Sequence, residues 1–323
     1  MTPRYETVVI VCPEVITGGP EAMHQLGYEI NRAGGNAVMA YTLGANELRF
    51  TENTLHTQSA VTDNFREHFA RYHPRTQAQI LLTPDTLFVF PEIFAAPAYN
   101  HRSTPRAIWW LSVDNATTNA SALTYSSTKR AVFSDDTLAH YYQSAYAREY
   151  LIRHGARQIQ ALFDYVDRSC FDVGTPRNRT VAIFPRKGGE RAQAFAQNAP
   201  DLPLVLIENL TREQVADALQ RTTVYIDFGH QPGKDRVPRE AALAGNIVFL
   251  HERGAAEHYE DFPIDRGYLF TEQDVTSGAL ARRVRETLAD SAPHRANQAG
   301  LRQRVMLEPQ EFRLQVAQAF FEP

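Results

Sequence analysis

Short apolar runs alternate along this chain with longer segments of helical periodicity, and no other feature constrains the fold as strongly. Such an alternation predicts an α/β protein whose sheets are mainly parallel. In the first half it predicts strands at residues 8–12, 37–42, 87–90, 107–113, 131–134 and 158–163. It predicts first-half helices at residues 20–32, 63–72 and 137–154.

The alternation restarts after residues 164–179, a stretch rich in Asp, Pro and Arg that is typical of an interdomain linker. Strands are predicted there at residues 180–184, 204–207, 224–228, 247–250 and 268–270. Helices are predicted at residues 190–197, 212–220, 238–244 and 310–320. We therefore predict an N-terminal domain over residues 1–165, a C-terminal domain over 178–306 and a last helix within 307–323.

Composition excludes several classes of protein. The 323 residues carry a net charge of −4, which argues against binding to duplex nucleic acid. Cys12 and Cys170 form no CxxC pair, so neither a disulfide framework nor a cysteine zinc site is expected. The first apolar run ends after five residues at Pro13, and no stretch approaches the roughly 18 apolar residues of a membrane span. A cytoplasmic protein is the expectation.

Ligands of open parallel sheets bind beyond the carboxyl ends of the strands, so the residues that follow each strand matter most. In the first half these residues are acidic or polar, and they are predicted to face a hydroxyl-rich partner: Glu14, Glu92, Asp114 and Asn115. Asp135 and Asp136 follow another predicted strand. In the second half the strands end in loops of glycine and cationic residues, which predict an anion site.

The strongest of these loops follows the predicted strand at 224–228 and contains Gly229, His230, Gly233, Lys234 and Asp235. A helix is predicted to begin near Pro238, with Arg239 and Glu240 in its first turn. Glycines let the backbone approach a phosphate, a helix N-terminus offers free N–H groups, and cations add charge. A plain turn with a surface ion pair is consistent with the same residues.

Two further glycine segments support an anion site. Arg186, Lys187 and Gly188 follow the strand at 180–184, and together with the first loop they could hold a diphosphate. Gly18 and Gly19 precede the first helix, where a glycine pair can pass close to a phosphate or sugar. A solvated turn and a packing turn are the simpler interpretations of these two segments.

Other nucleotide and catalytic motifs are missing from the sequence. The sequence contains no GxGxxG motif. Residues 229–234 differ from a P-loop in two ways: three residues instead of four separate the glycines, and Asp235 stands where a P-loop has Ser or Thr. Neither HExxH nor Gly-x-Ser-x-Gly occurs. Dehydrogenase, P-loop ATPase, zinc-peptidase and serine-hydrolase functions are therefore disfavoured.

Three segments, residues 18–21, 185–188 and 238–245, together resemble the GT-B glycosyltransferases, and among them the retaining, glycogen-synthase-like (family 4-like) superfamily. The resemblance implies two Rossmann-like domains with parallel sheets facing a central cleft, and a C-terminal helix that crosses back to the first domain. It implies transfer of a sugar from a nucleotide-diphosphate sugar to an unknown acceptor (saccharide, lipid or small molecule), with retention and without a metal or other cofactor.

The resemblance also implies roles for single residues. Glu240 would bind the donor ribose, and Arg186 with Lys187 or Lys234 would hold the diphosphate, which makes Lys234, Arg186 and Glu240 the candidate catalytic residues. Gly18 and Gly19 would lie against the donor. The donor-binding set is completed by Gly188, His230, Gly233, Asp235 and Arg239.

One departure from the superfamily concerns the donor sugar. The superfamily often has a second Glu seven residues before the ribose-binding one, and Gly233 stands there in this chain. Asp235 is a candidate to replace the sugar contact. The acceptor is expected to meet the first domain, with residues 44–75 as a candidate segment.

Three other functions remain open, of which glycosyl transfer to modified DNA bases is disfavoured by the acidic charge. A nucleotide-sugar epimerase of similar architecture would consume the nucleotide sugar without an acceptor. A protein that has lost catalysis would bind nucleotide without releasing a diphosphate product.

Overall fold

The computed structural model describes residues 1–43, 48–51, 53–57, 61–118, 123, 126–167 and 177–322. The chain divides into two compact units: unit 1 comprises Met1–Asp164 and Gln310–Pro323, and unit 2 comprises Tyr165–Pro309. Most of the predicted linker, Cys170, and parts of the candidate acceptor segment (44–47, 52 and 58–60) lie outside the described residues.

Unit 1 is built on short strands and helices that follow one another along the chain. Its strands are β1 (Thr7–Pro13), β2 (Ala37–Thr42), β3 (Arg49–Thr51), β4 (Thr54–His56), β5 (Gln79–Leu81), β6 (Thr86–Pro91), β7 (Arg106–Trp110), β8 (Leu138–Tyr142) and β9 (Ile159–Ala161). Its helices are α1 (Gly18–Arg32), α2 (Asp63–Phe69), α3 (Ala95–Asn100), α4 (Asn115–Thr118), α5 (Ser126–Ser134) and α6 (Ala145–Arg153).

Six of these strands form a parallel sheet in the order β2-β1-β6-β7-β8-β9, and β3, β4 and β5 form a small antiparallel sheet. The central strands are buried on both faces, as expected for a parallel sheet covered by helices. Both tryptophans of β7 are core residues with partnered indoles: Trp109 Nε1 donates to the Leu162 carbonyl at 2.7 Å, and Trp110 Nε1 donates to His140 Nδ1 at 3.1 Å. The sequence did not predict the small sheet.

The sequence prediction is wrong between residues 131 and 154. The predicted strand at 131–134 is the end of α5, and the predicted helix at 137–154 is β8 followed by α6. A short apolar run does not distinguish a buried strand from a buried helix face. Ser144 marks the true start of α6, because its hydroxyl accepts from Ala147 N at 3.0 Å. Asp135 consequently does not follow a strand, and it binds Arg106 Nη2 at 2.6 Å.

Unit 2 contains a second parallel sheet in the order β11-β10-β12-β13-β14. Its strands are β10 (Val181–Ile183), β11 (Leu204–Leu206), β12 (Val224–Asp227), β13 (Ile247–His251) and β14 (Leu269–Phe270). Its helices are α7 (Gly189–Asn198), α8 (Arg212–Arg221), α9 (Arg236–Ala244), α10 (Glu272–Thr276), α11 (Ala279–Ala289), α12 (Ser291–Asn297) and the first part of α13 (Ala299–Phe320). The predicted strands of this half are all present, with ends shifted by at most one residue.

Two helix starts differ from the prediction. Helix α9 begins at Arg236, so Pro238 occupies its first turn, where a missing N–H leaves no hydrogen bond unmade. Helix α13 begins at Ala299 and runs through Pro309, which the sequence prediction took as its boundary. From Gln310 onward α13 belongs to unit 1, where Phe312 stacks on Trp109. Within the described residues, none of the helices combines the length and the apolar character needed to cross a bilayer.

Candidate functional site

The second sheet has a topological switch point between β10 and β12. The chain proceeds from β10 to β11 on one side and then returns to β12 on the other, and all these strands are parallel. A crevice beyond the carboxyl ends of two such strands is the usual ligand site of an open α/β sheet. Residues 184–188, which we call loop A, follow β10, and residues 228–235, which we call loop B, follow β12.

Loop A ends in a glycine that no other residue can replace without strain. Gly188 has φ of 68°, and a Cβ at this position would lie 2.6 Å from the carbonyl carbon of Phe228. Left-handed backbone and close approach to another main chain both favour glycine. The first turn of α7 therefore lies directly against the start of loop B.

The two cations of loop A reach solvent. The side chain of Arg186 is 61% exposed, donates to the Asn209 side chain and lies 4.0 Å from the Glu208 carboxylate. The side chain of Lys187 is 39% exposed and pairs with Asp235 of loop B. Exposed pairs of this kind contribute little stability, so an anion can compete for both cations.

Hydrogen bonds of Asp227, the last residue of β12, fix the start of loop B beside loop A. Asp227 Oδ1 accepts from Gly229 N at 2.8 Å, and Asp227 Oδ2 accepts from the Tyr225 hydroxyl at 2.9 Å. A Cβ on Gly229 would lie 2.7 Å from Lys187 Cβ. Burial raises the pKa of Asp235 to about 6 although Lys187 lowers it, so Asp235 is largely ionised at neutral pH.

Lys234 and Arg239 lie in a buried ion-pair group with Glu308 of α13. Lys234 Nζ is 3.5 Å from Glu308 Oε1, and Arg239 Nη1 is 2.8 Å from Glu308 Oε2. Arg239 also donates to the carbonyls of Lys234 at 2.8 Å and Asp235 at 3.2 Å. This group therefore fixes the backbone at the end of loop B, and all three side chains are at most 2% exposed. A direct contact of Lys234 with a diphosphate stays a prediction.

Glu240 lies in the second turn of α9, because the helix begins two residues earlier than predicted. Its carboxylate is 18% exposed and lies 3.9 Å from Arg236 Nε, while Arg236 Nη1 donates to the Tyr165 carbonyl at 3.0 Å. The charge of Glu240 helps raise the pKa of the buried Tyr225 hydroxyl, after burial itself and Asp227. Glu240 therefore belongs to the surroundings of loop B, and its ribose contact stays a prediction.

Sequence reasoning missed polar residues beside loops A and B. Arg191, in the first turn of α7, pairs with Glu272 and directs Nη1 to the Phe228 carbonyl at 3.4 Å. Gln231 is fully buried, and both polar atoms of its side chain are without a hydrogen-bond partner among the described residues. His230 is exposed and lies near His251. Burial and the charge of Arg191 lower the pKa of His251 to about 4. In the sequence, the position of Arg191 in the first turn of the helix predicted at 190–197 was the signal that could have identified it.

Unit 1 has its own switch point, between β1 and β6. Gly18 and Gly19 begin α1 after β1, and Glu92 follows β6. Glu92 Oε2 accepts from Leu111 N at 3.1 Å, and the side chain of Asn115 also donates to Glu92. A Cβ on Gly19 would lie 3.9 Å from Leu111 Cδ1. The structure thus brings Gly19, Glu92 and Asn115 together around Leu111.

Glu92 is the group of unit 1 that is best placed to exchange a proton. Burial raises the pKa of its carboxyl to about 7, although its hydrogen bonds to Leu111, Ser112 and Asn115 lower it. Near neutral pH this carboxyl is therefore divided between its charged and neutral forms. Glu14 and Asp114 have other partners: Glu14 Oε1 accepts from Thr62 N at 2.7 Å, and Asp114 Oδ1 accepts from the Tyr146 hydroxyl at 3.3 Å.

In the part of the chain that the structure describes, no three His, Cys, Asp or Glu side chains are grouped so as to hold a metal ion. The expectation that no metal is needed stays a prediction.

Comparison with known proteins finds similar structures at low sequence identity. No family model and no curated protein sequence matches this chain. Sucrose-phosphate synthase from Thermosynechococcus elongatus has a TM-score of 0.67 at 14% identity, covering 97% of this chain and 98% of that one. Anabaena HepE, solved with UDP, has a TM-score of 0.63 at 12% identity, covering 97% of both chains. A glycosyltransferase from Rickettsia africae has a TM-score of 0.61 at 10% identity, covering 98% and 94%. At these identities the similarity shows a shared fold.

Proposed function

We propose that this chain, which has the fold of the GT-B glycosyltransferases, transfers a sugar from a nucleotide-diphosphate sugar to a hydroxyl group of an acceptor. The observation that carries the proposal is the contact between two glycine-and-cation loops at the switch point of the second sheet. Loop A presents two exposed cations there, and its backbone lies close to that of loop B, which suits a diphosphate. HepE, a protein of the same fold, has been solved with UDP and with UDP-glucose.

The diphosphate is held by Arg186 and Lys187 of loop A. Arg186 binds Asn209 and Lys187 binds Asp235, and the diphosphate oxygens replace these partners. Arginine offers a planar fork to two phosphate oxygens, and lysine offers a point charge. Glu240 accepts hydrogen bonds from the ribose hydroxyls. Lys234 adds charge next to the diphosphate, and Arg239 fixes the loop that carries it.

The reaction breaks the bond between the sugar C1 and the diphosphate oxygen and forms a bond from C1 to the acceptor oxygen. The acceptor hydroxyl loses its proton to the Glu92 carboxylate. Negative charge develops on the departing nucleoside diphosphate, and the loop A cations stabilise that charge in the transition state. Because Arg186 and Lys187 supply positive charge themselves, the reaction proceeds without a metal ion. Retention of configuration is what the resemblance of residues 18–21, 185–188 and 238–245 to the retaining superfamily implies.

Unit 1 supplies the acceptor side. Glu92 accepts a hydrogen bond from the acceptor hydroxyl in its ionised form, and Asn115 orients that carboxylate. A carboxyl with pKa near 7 accepts a proton at physiological pH more readily than an ordinary glutamate. Gly19 leaves room for a sugar beside Leu111, and Gly18 precedes it at the start of α1.

The test measures nucleoside diphosphate release from a panel of nucleotide sugars, in EDTA, with candidate acceptors. We expect release with one donor and a loss of at least tenfold in Arg186→Gln. Arg221→Gln is the matched control, since Arg221 is 58% exposed and forms a similar surface pair, with Asp217. Binding without release would favour a protein that has lost catalysis, and conversion of the sugar without acceptor would favour an epimerase. Equal turnover of Arg186→Gln and wild type would refute the diphosphate assignment.

A further inference from the structure

Three arginines of unit 2 converge on the carboxyl end of α9. Gly245 ends this helix with φ of 87°, and a Cβ there would lie 2.8 Å from Arg177 Nη2. Arg295 Nε donates to the Gly245 carbonyl at 3.3 Å, and Arg302 donates to the carbonyl of Arg295. Three guanidinium groups, which we call the arginine cluster (Arg177, Arg295 and Arg302), therefore occupy one small region.

The arginine cluster has no acidic partner among the described residues. Its hydrogen bonds there go to backbone carbonyls, including those of Thr222 at 2.7 Å and Leu219 at 3.4 Å from Arg177 Nη1. Burial, with the charges of Arg295 and Arg302, lowers the pKa of Arg177 to about 10. Burial and Arg295 lower the pKa of Arg302 as well. The three cations therefore repel one another, and no carboxylate of the described residues compensates this repulsion.

Few donors of the cluster have an acceptor among the described residues. Each guanidinium has five N–H donors, far more than the few carbonyls nearby accept. Arg302 Nη1 is buried and has no hydrogen-bond partner in the described part of the chain. A buried donor of a charged group is unfavourable without an acceptor, so the arrangement favours an acceptor that binds there.

The cluster lies away from loops A and B. Helix α9 has nine residues and begins directly after loop B, so its far end lies about 13 Å along the helix from that loop at 1.5 Å per residue. Gly245 also precedes β13, which places the cluster at the amino ends of the strands, whereas loops A and B follow their carboxyl ends.

We propose that the arginine cluster is a second anion site, which binds a small phosphate-bearing anion such as orthophosphate or diphosphate. Guanidinium forks match pairs of phosphate oxygens, and three of them can surround one tetrahedral group. The anion neutralises the mutual repulsion and gives Arg302 Nη1 its missing acceptor. The proposal goes beyond the glycosyltransferase function and does not depend on it.

The test titrates orthophosphate and diphosphate into the full chain by calorimetry, with NaCl added to keep the ionic strength constant. We expect binding to wild type and at least tenfold weaker binding to Arg302→Gln and Arg295→Gln. Arg186→Gln distinguishes the two sites. A loss of phosphate binding in that variant alone would place the anion at loop A and overturn the proposal. Arg285→Gln is the control for general charge, since Arg285 is paired with Asp201.

Folding is checked in the same variants by urea unfolding without phosphate. Arg302→Gln should be at least as stable as wild type there, because it removes repulsion, and phosphate should stabilise only wild type and the controls. If Arg302→Gln does not fold, Arg302→Lys keeps the charge without the fork and should still bind more weakly. No binding by wild type at millimolar phosphate, or equal protection by chloride, would overturn the proposal.

Discussion

The sharpest prediction concerns the glycine at the end of loop A. Gly188→Ala places a methyl group on a backbone with φ of 68°, 2.6 Å from the carbonyl carbon of Phe228. Gly189→Ala is the matched control, because a Cβ on the next residue meets nothing within 4 Å and this residue begins α7.

The size of the effect follows from two terms. The left-handed conformation is unfavourable by roughly 1–2 kcal/mol for a residue with a Cβ. Carbon atoms pack at about 3.5–4.0 Å, so loops A and B must also separate by about 1 Å. We expect Gly188→Ala to lower the free energy of unfolding of unit 2 by at least about 2 kcal/mol. Displacement of this size at a binding site should weaken nucleotide binding by ten- to a hundredfold.

Two assays check this prediction. Urea unfolding followed by circular dichroism reports stability, since both tryptophans lie in unit 1 and fluorescence would not follow unit 2. Calorimetric titration with a nucleoside diphosphate that binds wild type reports binding. Gly189→Ala should match or slightly exceed wild type in stability, because alanine favours the helix. If Gly188→Ala matches Gly189→Ala in both assays, the contact between loops A and B does not shape the site.

Three further predictions concern buried charges. Glu308→Gln leaves Lys234 and Arg239 without their carboxylate and should lower the free energy of unfolding by about 3–5 kcal/mol, measured in urea. Lys234→Ala should abolish turnover of the nucleotide sugar. It should destabilise the protein far less than Glu308→Gln, since Arg239 still pairs with Glu308. Turnover at the wild-type rate in Lys234→Ala would refute the role of Lys234 in donor binding. Glu92 has a raised pKa, so its folded state holds the proton more tightly and wild-type stability falls as pH rises from about 4.5 to 7. Glu92→Gln should lack this fall of about 3 kcal/mol in the free energy of unfolding. If the free energies of unfolding of wild type and Glu92→Gln change with pH in parallel, the raised pKa of Glu92 is contradicted.

The sequence predicted the fold well where strand and helix signals are local. Alternating apolar runs located the strands of unit 2, and the resemblance to GT-B enzymes predicted the architecture that the structural comparisons confirm. The prediction failed where tertiary contacts decide. Residues 131–134 are apolar enough for either a strand or a helix face, and Pro309 lies inside α13 because packing along the helix outweighs the lost hydrogen bond.

The candidate site was predictable only in part, and for a similar reason. Glycines and cations that follow strands identified loops A and B, because strand order brings these ends together. The partner of Lys234 could not be found in this way, since Glu308 lies 74 residues further along the chain. The raised pKa of Glu92 depends on burial, which residue spacing does not reveal.

The measurement that tests the central claim most directly is a thermal-shift screen of nucleoside diphosphates in EDTA. At 100 times its dissociation constant, a bound nucleotide should stabilise the protein by about 2.7 kcal/mol. That corresponds to a shift in Tm of roughly 5–10 °C for a unit of this size, and it should disappear when Arg186 and Lys187 are both replaced by glutamine. No shift with any nucleoside diphosphate, or an undiminished shift in the double variant, would contradict the proposed donor site.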